Sequence, residues 1–564
     1  MMPERSTILD RILRRLAAVV TVAACTAAAR PAQAQNPPSA VESAPGPAAD
    51  SLAVTAEELG ARLRFISSDL FEGRLPGTRG EALTTAYLTS ELAALGVQPG
   101  ADSGWLQPVD IVTHGAHGAS PNEARVSGRV TRTLEFGRDF RVSSYTAADP
   151  VAAGGELVFV GYGIHAPPYR WDDLAGTDLE GKVAVMLLGE PSIPGDTAAF
   201  NGRRASRYSW YLGKLAELER RGVVGVLLMQ ASGSISRAPA TGARRLAAGA
   251  DSATLRFTGS ISDSVLASLL PRGRRLGDVV AAASRRGFRA VPTGVRFDVR
   301  FRTEPARVRS HNVIGVVPGT DPALRNEHVV LSAHWDAYGI GRAVEGDSIY
   351  NGALDDGSGV TLLLALARVF AASPQRRSIT FLFTTAEEWG LLGARAFVCG
   401  GPVPAARMAA NLNVDDGIEL FGVKRNASPL GIEHSTLARS VERVAGSMGL
   451  AVTADPYPEQ GFFLRADNFP FALAGVPALY MALGTDARGR PAGYIDAKVE
   501  EYLQRHYHRP SDEYDTVVVD LAGAVQFAEF VRDVTIDVAN AAERPEWLTG
   551  SEFQRVTEGT GCAR

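Results

Sequence analysis

The chain has 564 residues, too long for one ordinary domain and ample for a large core. It is 45% hydrophobic and 21% charged, and 58 Lys+Arg against 62 Asp+Glu leave a formal net charge of -4. That balance argues against a nucleic-acid groove or a polybasic membrane patch. Three cysteines, Cys25, Cys399 and Cys562, are too few for a disulfide scaffold or a cysteine zinc site, although Cys399 and Cys562 could pair in an oxidising compartment.

The first 34 residues read as an export signal. Arg11, Arg14 and Arg15 form a basic segment, Leu16 to Ala29 is apolar, and Ala32-Gln33-Ala34 is a small-x-small cleavage site. The apolar run falls short of the ~20 residues a bilayer span needs. Val22-Ala23-Ala24-Cys25 also resembles a lipobox, so lipid attachment at Cys25 rivals simple cleavage, the preferred reading. No other long apolar stretch appears, so the expected protein is exported, without an integral membrane span. Residues 35–50, rich in Pro, Ala and Ser, read as a linker.

Thr55 then reads as a helix N-cap, with Leu59, Leu63 and Ile66 on one face. Ala82 to Leu95 is a second amphipathic helix stopped by Gly96. Leu70 to Thr78 between them is a glycine-rich loop, either a connector or a rim of a site. From Ala124 to Phe301 the texture is β-rich, with strand-like runs at Leu157–Tyr162, Val183–Leu188 and Val223–Met229 and a helix at Tyr208–Arg221. His165 is the one histidine there, so this stretch is read as an inserted domain that shapes access.

From Asn312 strands and helices alternate: strands at Val313–Val317, Val329–Ser332, Ile379–Thr384, Ala409–Val414 and Val476–Leu483, helices at Val360–Phe370, from Leu391 and at Leu521–Val538. Such alternation indicates an α/β fold, a three-layer α/β/α sandwich on a mostly parallel mixed sheet. Ligands gather where such strands end, which is where His334, Asp355, Glu387, Glu388 and Asp415 fall.

Each of these has a plainer reading. A histidine such as His334 is more often a hydrogen-bonded core residue, with Asp336 placed to hold its second nitrogen. Asp355-Asp356 alone makes a turn or helix cap, and Glu387-Glu388 a solvated helix start. Three acidic pairs at strand ends, the third being Asp415-Asp416, are hard to explain without bound cations. His508 adds an imidazole, with His506 as its competitor. Imidazole and carboxylate together suit Zn²⁺ or a similar divalent metal.

His334-Trp335-Asp336, Asn351 to Gly359 (NGALDDGSG), Ala386-Glu387-Glu388-Trp389-Gly390, Asn413-Val414-Asp415 and Tyr507-His508-Arg509-Pro510-Ser511-Asp512 resemble, in order, the motifs of the M28 family of metallopeptidases. The resemblance covers about Ser51 to Val538. The stretch Val158 to Ile164, with Trp171-Asp172-Asp173 and Leu179 to Val183, is similar to a protease-associated (PA) domain.

The implied architecture is a signal (1–34), a linker (35–50), a zinc exopeptidase-like domain (51–123 and 302–545), an inserted PA-like domain (124–301) and a tail (546–564). The resemblance further implies two zinc ions, one held by His334, Asp355 and Asp415 and the other by Asp355, Glu388 and His508. Glu387 would be the general base, Tyr507 would support the oxyanion, and the Asp355–Asp356 peptide would be cis. Asp416 stays an alternative to Asp415, because many relatives carry an apolar residue there. Phe463 to Phe471 resembles a substrate-pocket segment in which Arg465 either contacts substrate or pairs with an acid such as Asp467.

The implied activity is an exported dizinc exopeptidase acting on peptides, most readily an aminopeptidase. A carboxypeptidase-like or one-zinc glutaminyl cyclase-like enzyme and a non-catalytic binding protein are the rivals. Nothing in the sequence sets the oligomeric state.

Overall fold

A computed structural model describes residues 52–115, 122–193, 200, 202, 204–232, 244–415 and 417–553. The export signal, the lipobox at Cys25, the linker, Asp416 and Cys562 lie outside them. Cys399 is disulfide-bonded. No described helix is long and apolar enough to cross a membrane.

The site sits on a mixed sheet whose central strands are each followed by a loop that carries a candidate ligand. Its strands are β1 (Gln98–Pro99), β2 (Leu106–Gly115), β3 (Arg244–Leu246), β4 (Glu304–Val317), β5 (His328–His334), β6 (Ser378–Thr384), β7 (Met408–Val414) and β8 (Ala478–Met481). The spatial order is β3-β2-β4-β6-β5-β7-β8, with β1 also on β4. The pairs β6–β5, β5–β7 and β7–β8 are parallel, and those on the β3 side are antiparallel.

Both faces of the parallel strands are buried, as their continuous apolar runs require. Val329, Leu331 and Ala333 of β5 and Phe381 and Phe383 of β6 pack with helices α3 (Ser358–Ala372) and α6 (Leu521–Asn540). The alternating residues Val330 and Leu382 face the other way, onto Phe397 of α4 (Leu392–Gly400) and onto Phe469 and Phe471. Period-two alternation thus feeds two helical layers from one sheet. Helix α5 (Leu437–Ser447) buries Val441 and Val444 in the first of these layers.

Helix α1 (Ala56–Ile66) starts at Thr55, whose hydroxyl accepts the Glu58 N–H at 3.1 Å. Helix α2 (Arg79–Ala94) starts three residues earlier than its apolar pattern suggests. The Glu81 carboxylate there accepts the Gly77 N–H, satisfying an orphan donor ahead of the first turn. Strand β4 begins at Glu304, nine residues before its apolar run, because its polar half pairs with β2.

A second eight-stranded sheet occupies most of the stretch read as inserted. Its order is Arg132–Leu134, Glu123–Gly128, Val291–Phe301, Val151–Phe159, Val183–Met186, Gly225–Gln230, Phe257–Ser262 and Phe140–Ser144. Arg244–Leu246, from the same stretch, instead pairs with β2 on the edge of the first sheet. Trp210 meets Phe469 edge-on at 5.1 Å between ring centroids.

Arg377 closes α6. It is almost fully buried and donates to the Val538 and Ala541 carbonyls at 3.1 and 2.5 Å and to Glu327 at 2.7 Å. A cation on the last carbonyls of a helix satisfies their lone pairs and its dipole. Arg377→Ala is expected to lower the unfolding free energy by about 2–3 kcal/mol, read from urea unfolding curves. An unchanged midpoint would show that Arg377 does not fasten α6.

Candidate metal centre

Three consecutive parallel pairings bring the acidic motifs to one edge. His334 ends β5, Glu387 and Glu388 follow β6, and Asp415 follows β7. Asp355 comes from the loop before α3, and its peptide bond to Asp356 is cis. His508, with φ at 57°, projects from the loop after the helix Tyr494–Arg505.

Asp355 stands between the two histidines. Its Oδ1 lies 3.0 Å from His334 Nε2 and its Oδ2 lies 3.3 Å from His508 Nε2. His334 Nε2 is also 3.6 Å from Asp415 Oδ1, and His508 Nε2 is 3.2 Å from Glu388 Oε2. Asp355 therefore stands within reach of both sets of side chains. A grouping of His334 with Asp356 and Asp415 is also short enough to hold an ion. However, Asp356 is fully buried and both of its oxygens already accept backbone N–H groups, from His334 at 3.0 Å and Gly359 at 3.0 Å. Asp355, by contrast, turns its two oxygens to the two histidines.

The surroundings fix these side chains. His334 Nδ1 donates to the Asp336 carbonyl at 3.1 Å, which leaves Nε2 with its lone pair toward the acids. The Asp336 carboxylate is 3.8 Å from that nitrogen and instead accepts the Glu387 N–H at 3.1 Å. Asp512 accepts the N–H groups of Leu354 and Asp355 at 3.0 and 3.2 Å and the Tyr502 hydroxyl at 3.0 Å. Tyr338 donates to Glu388 at 2.6 Å and touches the His508 ring. His506 bonds Ser511 at 3.0 Å, outside both groups.

Arg74, in the loop read as a connector or rim, is fully buried beneath the centre. It donates to the carbonyls of Trp335, Ile66, Asn351 and Gly352 at 2.5 to 3.1 Å. The loop it holds needs glycine at 352, where φ is 57° and a Cβ would meet the Asp355 carbonyl oxygen at 2.4 Å. Sequence reading missed the roles of Arg74, Asp512 and Tyr338. Asp512 was visible as the end of its motif, whereas a lone arginine in a loop carries no such signal.

Electrostatically the cluster is loaded. Burial, with the charges of Asp415 and Glu388, pushes the Glu387 carboxyl well above the usual carboxylate range. Burial also raises Glu388 and Asp415, and it raises Asp336 to about 8. Burial would lower His508, but its Asp355 and Glu388 acceptors outweigh that and hold it at about 9. Without cations the cluster keeps protons, and divalent ions can replace them. The oxygen and imidazole donor set fits zinc.

Two cavities meet here. One, about 130 Å³, is largely apolar, with Ile418, Phe421, Leu430 and Phe462 in its wall. The other, about 600 Å³, opens between the two sheets. Glu387, Glu388, Arg465 and Tyr507 line both. The Glu387 carboxylate makes no hydrogen bond among the described residues. Tyr507 stacks on His508 at 3.6 Å, and Arg465 reaches the Tyr507 hydroxyl at 3.4 Å. Arg465 forms no ion pair among the described residues, so the sequence alternative of a bridge to Asp467 is not what it makes. Asp467 accepts the Thr384 hydroxyl.

Comparison with known proteins places residues 312–534 in a match to the model of peptidase family M28. A protein of Aspergillus fumigatus described as "Probable leucine aminopeptidase 2" is 26% identical over 210 residues, 36% of this chain and 39% of that relative. The "Probable lipoprotein aminopeptidase LpqL" of Mycobacterium tuberculosis is 24% identical over 250 residues, 40% of this chain and 47% of that relative. The chain thus spans less than half the length of these relatives. Among solved structures, an aminopeptidase from Aneurinibacillus sp. strain AM-1 aligns over 88% of this chain and 96% of its own, at 19% identity and a TM-score of 0.49.

Arg74→Lys tests the clamp beneath the centre. A lysine has three donors on one atom and cannot reproduce the fork. Stability is expected to fall by about 2–3 kcal/mol, and zinc affinity by about 10-fold as the Asp355 loop loosens. Denaturation and calorimetric zinc titration measure the two, and an unchanged zinc affinity would separate Arg74 from the centre.

Proposed function

The chain belongs to peptidase family M28 through residues 312–534, and from that premise we propose that it is an exported dizinc aminopeptidase. The observation that carries this reading is Asp355 between His334 and His508, with a Glu387 carboxylate free of hydrogen bonds among the described residues where two cavities meet. His334, Asp355 and Asp415 would hold one zinc ion, and Asp355, Glu388 and His508 the other. When bound, such ions would lower the pKa of the attacking water and favour negative charge on a carbonyl oxygen.

Glu387 takes a proton from the attacking water and delivers it to the leaving amine. Tyr507 faces the carbonyl oxygen and donates to it as charge develops, with the Arg465 guanidinium beside the phenol. The small apolar cavity takes the side chain of the first residue, and its acidic wall favours an ammonium group at that end. The larger cavity takes the leaving peptide.

Both ligand groups are complete, which disfavours the one-zinc and the non-catalytic readings. The second sheet, read as a PA-like domain, walls the larger cavity. The Cys399 disulfide supports an oxidising compartment, in keeping with export.

Glu387→Gln is expected to reduce kcat by at least about 100-fold while metal analysis still finds two zinc ions per chain. Retained turnover would remove Glu387 as the base. Asp355→Ala should release both ions, so an unchanged zinc content would rule out bridging. Free-amine and N-blocked peptides decide the polarity: hydrolysis of N-blocked peptides alone would exclude an aminopeptidase.

A further inference from the structure

Arg244 belongs to the stretch read as inserted, yet its backbone is fixed on the first sheet, opposite Thr113 of β2. Its guanidinium lies over the Trp389 ring, 4.6 Å from the centroid, and Trp389 directly follows Glu388. It lines the larger cavity together with Glu388, Tyr338 and His508. It is half-buried, and it makes no hydrogen bond or ion pair among the described residues. Its neighbour Arg245 is committed elsewhere, donating to the Tyr145 carbonyl at 3.0 Å and stacking on that ring.

A partly desolvated guanidinium that rests on an aromatic face but has no hydrogen-bond acceptor among the described residues is unusual, because its donors lose water without compensation. Burial lowers its pKa, and Tyr338, Asp336 and Glu388 act to raise it. The acids of the centre would be neutralised by two divalent ions on the reading above. Arg244 would then face the cavity as an unbalanced positive charge on the leaving-group side. The planar fork of an arginine matches a carboxylate in two parallel hydrogen bonds.

We propose that Arg244 binds a carboxylate of the leaving residue, making this a peptidase selective for short peptides whose anionic group lies next to the cut bond. The proposal rests on the aminopeptidase reading and gives the inserted stretch a direct part in specificity. The carboxylate has two sources, the C-terminus of a dipeptide or an acidic side chain in the leaving residue. Arg244 would act as a specificity residue that touches substrate away from Glu387 and Tyr507.

The test compares leucylglycine, leucylglycinamide and the leucyl dipeptide amide with aspartate as leaving residue, on the zinc-loaded wild-type enzyme and on Arg244→Gln. The wild type should cleave at least one carboxylate-bearing substrate with a kcat/KM about 10- to 100-fold above leucylglycinamide. That ratio should collapse toward one in Arg244→Gln, with the change carried by KM. Whichever carboxylate gives the gain identifies the source. Equal wild-type rates for all three would overturn the proposal even if the variant failed to fold, as would a ratio that survives in a folded variant. If no free-amine substrate were cleaved at all, the aminopeptidase reading itself would fall. Cleavage without discrimination would sink only the role of Arg244.

Discussion

Mutual repulsion among partly buried carboxylates is the constraint on which this centre depends. Two unit charges 4 Å apart repel by about 4 kcal/mol at an effective dielectric of 20, and Asp355, Glu387, Glu388 and Asp415 share one rim. A fold cannot keep them all ionised and dry without positive charge among them. The structure answers with histidines: His334 and His508 each lie against two of these acids. The same contacts define where divalent ions fit, so the rim is under electrostatic tension that either protons or metal relieves.

Such tension would scatter the ligands if the loops could move. Below the rim, Arg74 ties the Trp335 and Asn351–Gly352 carbonyls together, and Asp512 grips the Leu354 and Asp355 N–H groups. One loop is thus held by a cation through its carbonyls and by an anion through its amides, which suits each end of the peptide dipole. Asp356 adds a third hold by accepting the His334 N–H, which ties β5 to the loop before α3. The acids that do not face the centre are those that keep it in shape.

This division explains what the sequence disclosed. The parallel strands and their terminal acids were legible because continuous apolar runs and acidic pairs are both local signals. The placement of His508 rather than His506 followed only from motif resemblance, since spacing alone favours neither. Asp336 was anticipated as a partner of His334, but its carbonyl makes that contact while its carboxylate turns to Glu387. Backbone groups carry no sequence signature, so that choice could not be read. Arg74 was hidden for a similar reason: its partners are four carbonyls spread over Ile66 to Gly352. The polar half of β4 escaped because its partner strand, not an apolar pattern, makes it extended.

The arginines around the cavity show how positive charge coexists with a metal-binding rim. A guanidinium paired to Glu388 or Asp415 would occupy a carboxylate oxygen and compete with any ion. Arg244 instead rests on Trp389, and Arg465 lies 5.7 Å from the Phe462 ring and bonds the Tyr507 hydroxyl. Aromatic faces attract a cation without consuming its hydrogen-bond donors. They hold both guanidinium groups on the wall of the cavity while leaving their donors free of the acids of the rim among the described residues. The aromatic lining therefore serves an electrostatic purpose: it keeps fixed positive charge beside the cavity without an ion pair to the acids of the rim among the described residues.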